Sequence, residues 1–217
     1  KVKGFDLLIF CKKKTSSKYV EQRKYNIDES HDISHSMDVL HFANDIYEQQ
    51  VYLYPPLKNY KNVIQICALL HDMCDKKYMD EKSGSQEIFS YLEPRIESRE
   101  NLLINKIITT MSYSKVKKDG FPVFENMDHY WVYHVVREAD LLSAYDFDRC
   151  MIYHIKQNEG DLESAFNNAN KLFENRVLRH YEDNLLLTEY SINNYLTLHN
   201  NAIQRINSWS KIIKPSF

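Results

Sequence analysis

The chain has 217 residues, 43% hydrophobic and 27% charged, which places it in the globular class with room for one domain of ordinary size. A formal net charge of −2 removes the electrostatic case for stable DNA or RNA binding or for holding to a membrane surface, and no apolar run is long enough to span a bilayer. Only four glycines and five prolines are available for turns, so long helices are expected.

Residues 1–27 read as an N-terminal arm, and 28–217 as the domain. The opening KVKGFDLLIF is basic and then apolar, but Asp6 interrupts it and Lys12 to Lys14 close it, so a signal peptide is not expected. Cys11, Cys67, Cys74 and Cys150 form no CxxC pair, which fits reduced thiols in a cytoplasmic protein. Asp28-Glu29-Ser30 offers N-capping chemistry for a first helix running to about Val51. Its apolar face is Val39, Phe42, Ala43 and Ile46, and His35 lies on that face one turn before Val39. Pro55-Pro56 ends the region.

A second helix is expected from about Lys61 to Cys74. Val63, Ile66, Cys67 and Leu70 recur at helical spacing, and Ala68 and Leu69 make it apolar nearly all round, as in a helix enclosed by a bundle. This run ends in His71-Asp72. A buried imidazole and carboxylate need partners, and a metal ion with further ligands from other helices is the best one. Lys76 to Ser85 is polar, contains Gly84 and reads as a loop. Helices follow over Gln86–Leu92 and Leu102–Met111. Ser112 to Asp128, with Gly120, Pro122 and three lysines, reads as a long loop. A long helix then carries Trp131, Val132, Val135, Val136, Ala139 and Leu142, with Asp140 one turn after Val136. Two more are marked by Leu162, Ala165, Phe166, Ala169, Leu172, Phe173 and Val177, and by Ile192, Tyr195, Leu196, His199, Ile203 and Ile206. No strand pattern stands out, so the expected fold is all-α: a single bundle of roughly six to nine helices.

His35, His71, Asp72 and Asp140 stand apart as polar residues on apolar helices. Alone, His35 reads equally as a hydrogen-bonded core histidine, and Asp140 as a buried carboxylate paired with Arg137 or another cation. In the order H…HD…D, within HSMDVLHFA, ALLHDM and VREADLLSAYD, the four resemble the HD-domain metal-dependent phosphohydrolase superfamily over Ser30 to Asp148. The resemblance is nearest to a branch with HDxxH ahead of the first ligand and HDxxDxK at the signature. Here these read His31-Asp32-Ile33-Ser34-His35 and His71-Asp72-Met73-Cys74-Asp75-Lys76-Lys77. Ile107 to Lys115, IITTMSYSK, is similar to that branch's IIxxxSFSK-type stretch. Two departures are Ser143, where the branch often has an acidic residue, and Asp146, Asp148 and Arg149 in place of a Gly/Ala-rich run.

The resemblance implies an HD-type helical bundle that hydrolyses nucleotides. (Deoxy)nucleoside triphosphates, cleaved to monophosphate and pyrophosphate, are the favoured substrates. The alternatives are a 5′-nucleotidase, an alarmone or cyclic-nucleotide hydrolase, or a catalytically silent nucleotide sensor. Two imidazoles and two carboxylates suit Mn²⁺ first, with Fe²⁺, Zn²⁺, Co²⁺ or Ni²⁺ also possible, and Mg²⁺ less well because it prefers oxygen shells. Asp75 is the candidate acid/base, or else an exposed carboxylate paired with Lys76. His31 is a candidate for contacting phosphate or holding Asp75, or simply caps the helix. Lys77, Lys115, Ser114 and Arg149 are candidate phosphate contacts, with Arg176 and His180 as weaker ones. Tyr113 is a candidate base-stacking ring. A nucleotide is thus the expected partner, for a monomer or homodimer.

Overall fold

The structure, a computed structural model, describes residues 33–74 and 81–213. Nine α-helices occupy them: α1 (Ile33–Leu53), α2 (Lys61–Leu70), α3 (Glu81–Leu92), α4 (Ser98–Thr110), α5 (Tyr113–Asp119), α6 (Met127–Ser143), α7 (Phe147–Gln157), α8 (Leu162–Asn175) and α9 (Glu189–Ile213). Short 3₁₀ turns follow α1 at Pro55–Tyr60, α2 at His71–Cys74 and α8 at Val177–Arg179. Among the described residues there is no strand, and no helix is long and apolar enough to cross a membrane. The all-α single bundle is as expected.

Three helices form the centre. α1 packs along α6 and α2, and α2 packs on α6. Val39, Ala43 and Ile46 are fully buried on one face of α1. In α2, Val63, Ile64 and every residue from Ile66 to Leu70 are buried, as an all-round apolar helix requires. Val132, Val135, Val136, Ala139 and Leu142 bury the facing side of α6. Truncating one such side chain, for example Leu70→Ala, is expected to cost about 2–5 kcal/mol.

Several segments depart from the pattern reading. Glu81 to Ser85, expected as loop, begins α3. Burial of Ile88 and Leu92, with Asn101 Nδ2 donating to Phe89 O (2.9 Å) and Asn105 Nδ2 to Ser85 O (3.4 Å), ties this helix to α4 and overrides the weak propensity of Gly84. The expected loop from Ser112 to Asp128 contains α5. It buries Val116 and ends at Gly120, whose φ of 76° needs a residue without a Cβ. α7 was not expected at all. It starts where Asp146 accepts from Arg149 N (3.1 Å) and buries only Phe147 and Met151 fully, too sparse a face to show through YHIKQ. In α9 the apolar stripe is real but largely open: Ile192, Leu196 and Ile203 are exposed, and Ser191 and Ala202 are the buried positions. The 1–27 arm, Cys11 and the start of the first helix at Asp28 lie outside the described residues, and Cys67 is buried in α2.

Candidate metal centre

α2 ends where the metal-type residues begin. Its backbone tightens from α to 3₁₀ geometry at His71, so successive side chains there diverge by about 120° instead of about 100°. His71 is buried and Asp72 half-buried beside it. α1 supplies buried His35 from one turn before Val39, and α6 supplies Asp140 near its C-terminal end. Three helices packed on one another thus bring residues 35, 71, 72 and 140 together.

The ligand atoms converge. His35 Nε2 and His71 Nε2 are 3.2 Å apart. Asp72 Oδ2 lies 3.3 Å from His35 Nε2 and 3.4 Å from His71 Nε2. Asp140 Oδ1 lies 3.4 and 3.6 Å from the same two nitrogens. The carboxylate side chains are each 22% exposed against 4% and 2% for the imidazoles, so the cluster has an inner nitrogen side and an outer oxygen side.

The outer nitrogen of each ring fixes its inner one. His71 Nδ1 lies 2.8 Å from Ala68 O, and a carbonyl only accepts, so Nδ1 carries a hydrogen and Nε2 is the nitrogen turned to the cluster. Ser143 Oγ donates to Asp140 O (2.8 Å) and sits 3.4 Å from His35 Nδ1, where its lone pair can accept. The two Nε2 atoms face each other at 3.2 Å, a spacing at which a proton or a metal cation can lie between them. Burial pulls His71 toward neutrality, but Asp72, by charge and hydrogen bond, and then Asp140 outweigh it and hold its pKa at about 9. His35 is shifted down, chiefly by burial. Burial opposes ionisation of Asp140 too, yet the His35 hydrogen bond and the His71 charge bring it down to about 2. The cluster therefore sets a carboxylate held ionised, Asp140, and Asp72 beside it, against two imidazoles, one of which, His71, keeps a proton where a metal ion could lie. Asp72 and the two histidines are grouped closely enough to hold a metal ion. The two-nitrogen, two-oxygen donor set fits a divalent transition metal.

Of the expected phosphate contacts, Arg149 reaches this place. Its Nη2 donates to Ser143 O (3.3 Å), and its charge acts on His35. Ser114 and Lys115 are on α5. Ser114 is exposed, with its hydroxyl 3.4 Å from that of Ser112, and Lys115 Nζ donates to Thr109 O at the end of α4. Tyr113, the expected stacking ring, lies under the Arg176 guanidinium at 4.5 Å. His31, Asp75 and Lys77 lie outside the described residues.

Two features escaped the pattern reading. Ser143 entered as a missing acid and turns out to hold a ligand ring. Arg137 does not pair with Asp140; its Nη2 donates to Glu138 Oε1 (3.1 Å), and both are buried. The adjacent charges in an apolar run, VVREAD, were the available signal.

The fold and the convergent histidines and aspartates define an all-α protein whose inter-helix cluster can hold a divalent metal. No family model matches the chain, and no curated protein matches it. Among solved structures the chain is similar to Bacillus subtilis YpgQ in complex with ADP, with a TM-score of 0.59 and 22% identity, covering 90% of this chain and 97% of that one. That likeness shows a shared fold.

Proposed function

We propose that this protein is a metal-dependent phosphohydrolase of the HD-domain type acting on nucleotides, with (deoxy)nucleoside triphosphates as the favoured substrates and monophosphate and pyrophosphate as products. The observation that carries this reading is the pair of opposed Nε2 atoms, 3.2 Å apart and flanked by the Asp72 and Asp140 carboxylates. The ADP in the similar YpgQ structure supports a nucleotide as ligand.

His35, His71, Asp72 and Asp140 would hold the ion, with Mn²⁺ favoured. When bound, such an ion lowers the pKa of water and polarises a phosphoryl oxygen. Asp75 accepts the proton of the attacking water or returns one to the leaving group, with His31 supporting it. Lys77, Lys115, Ser114 and Arg149 offset the phosphate charge, which grows on the leaving oxygens as the bond breaks. The water oxygen joins the α-phosphorus, the α–β anhydride bond breaks, and pyrophosphate departs.

The test is a screen of purified protein against nucleoside mono-, di- and triphosphates with Mn²⁺, Mg²⁺, Co²⁺ and Ni²⁺, resolving both products. Monophosphate plus pyrophosphate is expected. Orthophosphate alone would make it a phosphatase of nucleotides, and intact recovery of bound nucleotide would make it a sensor.

A further inference from the structure

Beside the His/Asp cluster lies a second group of polar side chains whose hydrogen-bonding capacity is unspent. His180 follows the 3₁₀ turn after α8 and is fully buried, yet neither Nδ1 nor Nε2 has a hydrogen-bond partner among the described residues. The Tyr145 ring meets it edge-on at 5.6 Å, and the buried Tyr145 hydroxyl is also without a partner. His199 of α9 lies 6.3 Å beyond Tyr145, with Nδ1 unpaired. Arg176 lies over Tyr113, and its Nε is buried and unpaired. Buried polar atoms are nearly always satisfied, so five exceptions on four neighbouring side chains require an explanation.

The chemistry of the group is that of an anion receptor. Arg176 offers N–H donors, Tyr145 an O–H and each imidazole one N–H. Among the described residues no carboxylate pairs with Arg176, although its neighbours Lys117 and Arg179 both pair with Asp183, at 3.0 and 3.4 Å. The group adjoins the metal-type cluster: Tyr145 comes just after α6, and the Asp140 carboxylate acts on His180 through space. Arg176 and Tyr113 are half-buried and form its solvent side.

We propose that Arg176, His180 and Tyr145 form a phosphate-binding subsite next to the metal centre, taking a phosphate group of the nucleotide other than the one that meets the His/Asp cluster. The Tyr113 ring orients the guanidinium by lying beneath it. Burial, and then the Arg176 charge, bring the His180 pKa down to about 3, so the ring is neutral and offers one N–H to the anion. The subsite rests on the reading of the cluster as a nucleotide phosphohydrolase centre.

The experiment is calorimetric titration of the full chain, with Mn²⁺ present, using ADP and inorganic tripolyphosphate as probes. Arg176→Gln and Tyr145→Phe are expected to bind Mn²⁺ as the wild type does but to weaken both probes by at least about tenfold, and Arg176→Lys to recover part of the loss. Tyr145→Phe is expected to leave the melting temperature unchanged or raised, because it deletes an unsatisfied buried hydroxyl. A structural hydroxyl would show the reverse: a lower melting temperature and unchanged probe affinity. Unchanged affinity in both variants would overturn the subsite and leave the metal centre standing. A wild-type protein that binds neither probe with Mn²⁺ present would overturn the nucleotide reading and the subsite with it.

Discussion

Helix α6 contributes a carboxylate to each of two clusters, Glu138 and Asp140, two residues apart and so on opposite sides of the helix, and the two are built differently. Around Glu138 every oxygen is occupied: Oε1 accepts from Arg137 Nη2 (3.1 Å) and Leu187 N (2.9 Å), and Oε2 from Thr188 N (3.0 Å) and Thr188 Oγ1 (2.7 Å). Arg137 Nη2 also donates to Leu185 O (2.6 Å) and lies 2.9 Å from His134 Nδ1, while Phe121 covers both Arg137 and His134. This cluster bolts the segment before α9 onto α6. At His35, His71, Asp72 and Asp140 two imidazole nitrogens and two carboxylate oxygens converge, the nitrogens lying 3.2–3.6 Å from each other and from the oxygens. Only the Glu138 oxygens are saturated, since Arg137 Nε and Nη1 and His134 Nε2 are buried with no hydrogen-bond partner among the described residues; a carboxylate so held fastens a fold, whereas converging imidazoles and carboxylates can hold a cation. Buried histidines and carboxylates thus fasten the fold in one place and form a group that could hold a metal ion in the other.

The sharpest way to break the comparison is to delete a carboxylate from each cluster. Asp72→Ala is expected to abolish Mn²⁺ retention, measured by metal analysis after desalting, and to lower nucleotide turnover by at least about a thousandfold, equivalent to about 4 kcal/mol in the barrier. Wild-type turnover in this variant would mean that the ligand set is wrong. Glu138→Ala leaves Arg137 buried without its counter-charge and is expected to cost about 3–5 kcal/mol of stability. In a domain of this size that is a fall on the order of 10 °C in melting temperature. Mn²⁺ affinity measured well below the transition should not change. If it falls together with stability, the two clusters are one unit.

A smaller effect separates them by pH. Burial, and then Arg137, bring the His134 pKa down to about 2, and His180 is brought to about 3 in a similar way. Both lie below the ordinary imidazole value of about 6.5, so on acidification the unfolded chain takes up these protons first. The stability they contribute is whole above pH 6.5 and is lost as pH falls toward 3, by about 1.4 kcal/mol per pH unit for each ring. His71 has the opposite sign. In the metal-free protein its contribution is whole below pH 6.5 and fades as pH rises toward 9. Urea midpoints at pH 7, 6 and 5 should therefore fall, and His134→Gln should make that fall shallower by about one proton's worth. An equally steep fall in the variant would show that His134 is not the group titrating. Smallest of all, Ser143→Ala removes the hydroxyl behind His35 and is expected to weaken Mn²⁺ about tenfold with little change in stability. Unchanged affinity would make Ser143 a packing residue.

What could be read from the sequence divides along the same line. The four cluster residues were visible because each interrupts an apolar helical run, at His35, His71-Asp72 and Asp140, and a polar residue in such a run needs a reason. α1, α2 and α6 were visible for the same cause. α5 and α7 were not, since α5 buries Val116 and α7 fully buries only Phe147 and Met151, and lysines, Gly120 or polar residues hide so narrow a face. Glu138 was invisible as an anchor because the backbone amides that satisfy it lie some fifty positions away. The unpaired Tyr145, His180 and His199 were hidden for a similar reason: sequence shows donors but not whether the fold gives them acceptors. The open stripe of α9 misled because hydrophobic spacing marks a helix without saying which neighbour covers it.

The Ala68 carbonyl that holds the His71 ring belongs to the last turn of α2, where peptide oxygens have run out of amide partners. The end of this helix therefore leans on the imidazole as much as the imidazole leans on it. Loading the centre should tighten that turn, so amide hydrogen exchange near residue 71 should slow when Mn²⁺ is added. A change that extends the α-helical backbone past Leu70 would take the oxygen from the ring, freeing it to swivel without any ligand having been touched.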